Sequence, residues 1–128
     1  MAKILVIEDG RMTIEILKKG FASTDHECEF VTDGLEGLKT AKKVMPDIIL
    51  LDIMLPGMNG YKICRLLKFD KKYRNIPILM LTSRSMSEDK KLGMTTGADS
   101  FITKPFDIND LLAEIERLIS NRTVGSAV

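Results

Sequence analysis

The sequence predicts an α/β domain in which a parallel β-sheet carries helices on both of its faces. Two observations lead there. Five short apolar runs alternate strictly with longer segments of helical period, the pattern that lays strands side by side in one direction. Two of those runs, 47–52 (DIILLD) and 78–82 (ILMLT), are almost continuously apolar, as strands covered on both faces are.

The first run, 3–8 (KILVIE), is rich in β-branched residues and reads as a strand. A helix is predicted over 11–21, where Ile14, Leu17 and Phe21 keep helical spacing. Residues 27–32 (ECEFVT) alternate polar and apolar, as an edge strand half open to solvent does. The next helix, 35–44, shows Leu35, Leu38 and Ala41 on one face, with Gly34 just ahead. After strand 47–52 come the turn-forming PGMNG (56–60) and a helix over 61–69 with Ile63, Leu66 and Leu67 to bury. Beyond strand 78–82, the segment 87–95 offers only Leu92 and Met94 and is the weakest of the helices. Thr96-Gly97 stop it ahead of a fifth strand, 98–102 (ADSFI). The last helix has the clearest stripe: Ile108, Leu111, Leu112, Ile115, Leu118 and Ile119 follow Asp107 as N-cap. The stripe stops at Ile119, so one domain over 1–121 and a flexible tail over 122–128 are expected.

Composition narrows the class. With 128 residues, 45% of them hydrophobic and 29% charged, the chain can bury a core of its own. A net charge of +1 gives no general pull toward nucleic acid or an anionic membrane. Cys28 and Cys64 lie far apart and fit neither a disulfide framework nor a zinc pattern. Cys64 falls within a helical pattern as a small buried hydrophobe, and a reducing cytoplasm is the expected compartment. No apolar stretch approaches the ~18 residues of a membrane span. In MAKILVIEDG the acids arrive straight after a short apolar run, unlike a signal peptide. His26, the single histidine, reads as an exposed loop residue, and Met54, Met80, Met86 and Met94 as packing or loop residues. Between positions 62 and 74 six basic residues stand against Asp70 alone, which reads as a solvated helix face and loop.

The polar residues that follow the strands carry the chemistry. The first strand ends in Glu8-Asp9, the third in Asp52, the fourth in Thr82-Ser83, and the fifth leads into Thr103-Lys104-Pro105. In a parallel sheet all of these carboxyl ends share one edge, where open α/β sheets bind their ligands. Taken singly, each is an ordinary cap, turn or surface residue; placed together by one topology they form a site. Two carboxylates ~5 Å apart repel by roughly 3 kcal/mol at an effective dielectric of about 20, so three clustered acids call for a cation. Hard oxygen donors in an open, watery setting suit Mg²⁺ or Mn²⁺. A metal, a lysine and a hydroxyl converging on one carboxylate are what a transferred phosphoryl group needs.

On the motifs ILVIED (4–9), DIILLDIMLPGMNG (47–60), PILMLTSR (77–84) and GADSFITKPF (97–106), the chain resembles the receiver domain of two-component response regulators. The likeness runs to about Ile119. It implies the flavodoxin-like (βα)5 sandwich with strand order 2-1-3-4-5, an order known from members of this family. It implies that Asp52 accepts a phosphoryl group from the phosphohistidine of a sensor histidine kinase or histidine phosphotransfer protein. Glu8, Asp9, Asp52 and the backbone carbonyl of Met54 would hold Mg²⁺, with Mn²⁺ able to substitute. Lys104 would contact the phosphoryl oxygens, ahead of a cis bond to Pro105. Thr82 and Phe101 would be the switch pair, altering the surface of segments 87–95, 98–102 and 108–119 for a downstream protein or a fused output domain. No catalysis is implied beyond the domain's own phosphorylation and dephosphorylation. Neither direct nucleic-acid binding nor membrane contact is implied; a monomer, or a dimer formed through that surface on phosphorylation, is. No output module follows in the chain, as in a stand-alone receiver or one cut from a longer regulator.

Two departures from the family pattern leave the metal site whole. The acidic pair is Glu-Asp where Asp-Asp is commonest, and Gly10 replaces a frequent third polar residue. Two other classes fit less well. An Asp-nucleophile phosphatase would carry a second Asp where Met54 stands, and in a flavin carrier the acidic EDGRMT loop would repel the cofactor phosphate.

Overall fold

Alternation within the strands builds two separate cores from one sheet. The computed structural model describes residues 2–82 and 96–127. Its strands are β1 (Lys3–Ile7), β2 (Glu27–Val31), β3 (Ile48–Asp52), β4 (Ile78–Thr82) and β5 (Ser100–Thr103). Its helices are α1 (Arg11–Ala22), α2 (Gly34–Val44), α3 (Gly60–Lys68) and the C-terminal α4 (Ile108–Ala127). The strands are all parallel and lie in the order β2-β1-β3-β4-β5. This is the expected flavodoxin-like architecture. The helix predicted over 87–95 lies outside the described residues.

Successive strand residues point to opposite faces, so Ile4, Val6, Ile48, Leu50, Leu79 and Leu81 meet Leu17 and Phe21 of α1 and Leu111, Ile115 and Leu118 of α4. Their neighbours Leu5, Ile7, Ile49, Leu51, Ile78 and Met80 meet Leu38 and Ala41 of α2 and Ile63, Cys64 and Leu67 of α3. The central strands β3 and β4 are buried at every residue, whereas the edge strand β2 alternates exposed and half-buried.

Several details differ from the sequence reading. On α2 the buried face is Gly34, Gly37, Leu38 and Ala41, and Leu35 is exposed. On α3 it is Ile63, Cys64 and Leu67, with Leu66 turned to solvent. Small residues at the sheet-facing positions let these helices approach closely, and hydrophobicity alone does not mark a glycine as inward. Helix α4 runs to Ala127, beyond the apolar stripe that ends at Ile119, because an established helix adds one hydrogen bond per further residue without needing such a stripe. His26 is no exposed loop residue: its ring accepts from the Ala2 N–H at 3.1 Å and meets Glu116 at 2.6 Å, with the side chain only 11% exposed.

The basic segment 62–74 also divides. Lys68 turns inward, with Nζ 2.6 Å from Asp99 and donating to the carbonyls of Arg74 and Ile76. Asp99 in turn accepts from the Ile78 N–H at 2.8 Å, so this lysine ties α3 to the entry of β4. No described helix is long and apolar enough to cross a membrane.

Candidate functional site

Strand register brings the polar residues to one edge. Ile7 pairs with Leu51 and Asp52 with Leu81, while Thr82 pairs with Thr103, so the residues ending β1, β3, β4 and β5 stand side by side. The Lys104 N–H donates to the Thr82 carbonyl at 2.6 Å, extending the ladder just far enough to turn the lysine over the edge. The Lys104–Pro105 bond is cis, as the resemblance implied.

Glu8, Asp9 and Asp52 each offer a carboxylate oxygen, and these atoms lie within 4.8 Å of one another. Glu8 is 1% and Asp52 7% exposed, while Asp9 is open to solvent. Lys104 Nζ lies 2.5 Å from Glu8 Oε1 and 3.2 Å from Asp52 Oδ1. The other Glu8 oxygen accepts from the Gly10 N–H at 3.0 Å. A single ammonium thus spans two nearly buried acids.

The charges respond to that packing. Burial, reinforced by the nearby Glu8 carboxylate, raises the Asp52 pKa to about 6, against the opposing pull of Lys104. Burial works against the Lys104 ammonium, but the Glu8 hydrogen bond and the charges of Asp52 and Glu8 outweigh it and raise the Lys104 pKa above its usual value. More negative charge converges here than one lysine balances, and the donors are all hard oxygens. A small divalent cation fits that deficit and that chemistry.

Thr82 is buried at 1% exposure beside the site. Phe101 pairs with Met80 and packs half-buried against the α2–α3 core, so it shares a sheet face with Thr82, two residues along β4 from Met80. Met54 lies on the 53–60 loop that leaves β3 and is 63% exposed. Contacts bring Glu8, Asp9, Asp52 and Lys104 together, register sets Thr82 beside them and Phe101 behind the edge, and Met54 follows Asp52 by two residues on the loop. The sequence reading did not single out Asp33 and Gly34, on which the 53–60 loop rests; a TDG tripeptide ahead of a helix marks a cap and turn and says nothing of a docked loop.

Residues 4–116 match the family described as the response regulator receiver domain, and the chain belongs to that family. It is a receiver domain of two-component signalling. It is 34% identical over 119 residues to the DNA-binding dual master transcriptional regulator RpaA of a Synechocystis strain, covering 93% of this chain and 49% of that protein. The chain spans about half or less of the length of the curated relatives it matches. Among solved structures, the signal receiver domain of a signal transduction histidine kinase from Syntrophus aciditrophicus is 36% identical with a TM-score of 0.87, over 94% of this chain and 92% of that one. The receiver domain of the sensor histidine kinase PA1611 from Pseudomonas aeruginosa has a magnesium ion coordinated in its active-site cleft. It is 26% identical, with a TM-score of 0.85, over 93% of this chain and 98% of that one.

Proposed function

We propose that Asp52 is the phosphoryl acceptor of this domain and that Glu8, Asp9, Asp52 and the Met54 carbonyl hold one Mg²⁺ beside it. The observation that carries the reading is the Asp52 carboxylate itself: nearly buried, fixed at the end of a central strand, within 4.8 Å of two further acids and 3.2 Å from a lysine. When bound, the cation neutralises charge building on the phosphoryl oxygens.

Asp52 attacks the phosphorus of a phosphohistidine. The new O–P bond forms as the N–P bond breaks, and the imidazole departs with its electron pair and is reprotonated from solvent. Lys104 moves from its acidic partners to the transferred oxygens, and Thr82 donates a hydroxyl hydrogen bond to them. The donor is a histidine kinase or a histidine phosphotransfer protein.

The acyl phosphate brings roughly two negative charges and three strong acceptors where one carboxylate stood. Drawing Thr82 toward it opens room on the face that Phe101 shares, and the aromatic ring turns inward. The surface of β5 and α4, which segment 87–95 is predicted to join, then shifts its population toward a form that a downstream protein or a fused output domain binds. Acetyl phosphate with Mg²⁺ should label the wild-type chain, and Asp52→Asn should abolish the label. Undiminished labelling of Asp52→Asn would remove the assignment.

A further inference from the structure

The 53–60 loop is held at three places, and only two of them belong to its own strand and helix. It leaves β3 at Asp52, and it closes where the Gly60 N–H donates to the Ile53 carbonyl at 2.8 Å. The third support comes from α2. The Gly34 N–H donates to the Pro56 carbonyl at 2.8 Å, and the Gly34 α-carbon lies flat against the backbone of Met58. A Cβ at Gly34 would sit 1.9 Å from the Met58 carbonyl oxygen and 2.9 Å from its nitrogen, a collision with main chain that no rotamer relieves. Gly57, at φ +83°, presses on the Asp33 carboxylate from the other side, where a Cβ would lie 2.5 Å from Oδ1. Asp33 is itself fixed, accepting from the Glu36 N–H at 2.9 Å as the α2 N-cap.

We infer that Gly34 is a positioning residue for the Asp52 site: its missing side chain lets the 53–60 loop seat on the first turn of α2, which fixes the Met54 carbonyl beside Asp52. The inference rests on the metal-binding reading given above. A seat that sets the loop for the cation must also be tightened when the cation binds, because coupling between two sites is reciprocal. Gly34 belongs to α2, 18 positions before Asp52, and the atoms nearest a Cβ there are those of Met58 rather than of the acids named for the metal.

The test compares wild type, Gly34→Ala and Gly20→Ala by calorimetric titration with MgCl₂ and by acetyl phosphate labelling. Gly20 is the steric control, since a Cβ there meets only the Ile108 side chain, at 2.5 Å, on the α1–α4 face. Gly34→Ala should bind Mg²⁺ about tenfold or more weakly, the scale of losing an outer support of a metal site, and should label correspondingly slowly. Gly20→Ala should lower the unfolding midpoint and leave Mg²⁺ affinity within about twofold. Wild-type affinity in folded Gly34→Ala overturns the inference alone, whereas a wild-type chain that neither binds Mg²⁺ nor labels overturns the site reading and this inference with it. Should Gly34→Ala not fold, amide hydrogen exchange on wild type decides. Mg²⁺ should slow the Gly34 amide about fivefold or more and leave the Met45 amide, at the far end of α2, unchanged. Equal rates at Gly34 with and without bound Mg²⁺ contradict the inference.

Discussion

Glu8 and Asp52 are acids with almost no exposed surface, and both meet the Lys104 ammonium, at 2.5 and 3.2 Å. Removing that ammonium leaves two carboxylates facing each other in a poorly solvated edge. Lys104→Met should therefore lower stability by about 2–4 kcal/mol in urea melts without metal, and MgCl₂ should restore much of it by supplying charge to the same oxygens. No Mg²⁺-dependent recovery would contradict the shared-cation picture. The pH response follows from Asp52. Its carboxyl is raised to about 6, so without metal the folded chain holds a proton that the unfolded chain, near 3.8, has lost. Stability should fall as pH rises through that window, by about 1–2 kcal/mol once solvent screening is allowed for, and Asp52→Asn should flatten the slope. Mg²⁺ must displace the same proton, so its affinity should weaken about tenfold from pH 7 to pH 5. Glu8, Asp9, Asp52, Thr82 and Lys104 were legible as a cluster because each follows an apolar run and one topology aligns the ends of those runs, whereas Met54 and Phe101 came only from family resemblance. The choice of Glu8 as the closer partner of Lys104 was not legible, since it depends on rotamers across 96 positions of sequence. His26 was misread for the same reason: Ala2 and Glu116 are neighbours only in three dimensions.

Among the elements, β3 shows how burial and chemistry coexist. Ile48 to Leu51 fill both cores, and the strand ends at its one charged residue, Asp52. The four described helices were located well, and Cys64 is buried as read, but the inward faces were otherwise read by hydrophobicity, which chose Leu35 and Leu66 and passed over Gly34 and Gly37. Close approach selects for small size there, to the sheet at Gly37 and to the 53–60 loop at Gly34, a preference that periodicity does not register. Lysines on α3 make the complementary point. Lys68 binds Asp99 and two carbonyls with its side chain 9% exposed, so Lys68→Met should cost about 2–3 kcal/mol by leaving those acceptors unpaired. Lys62→Met, on the outer surface, should stay within about 0.5 kcal/mol. Chemical denaturation of the pair checks this, and equal effects would show that the segment is uniformly solvated after all.

For the whole molecule, strict β-α alternation was enough for a parallel sheet covered on both faces, and the order β2-β1-β3-β4-β5 came from family resemblance. That order sets β1 beside β3, which is what brings Glu8-Asp9 next to Asp52 at all. It also sets β5 beside β4, so Lys104 reaches the acids from one side while Phe101 stands behind Thr82 on the other. The proposed acceptor, metal ligands and switch pair are thus placed by one strand permutation. The most direct measurement locates the phosphoryl group. The chain is labelled with acetyl phosphate and Mg²⁺, trapped with borohydride, which reduces an acyl phosphate to an alcohol, and digested for peptide mass spectrometry. Homoserine at position 52, absent without Mg²⁺, is the predicted result. Reduction at Glu8, Asp9 or any other acid, with Asp52 intact, would contradict the assignment of Asp52 as the acceptor.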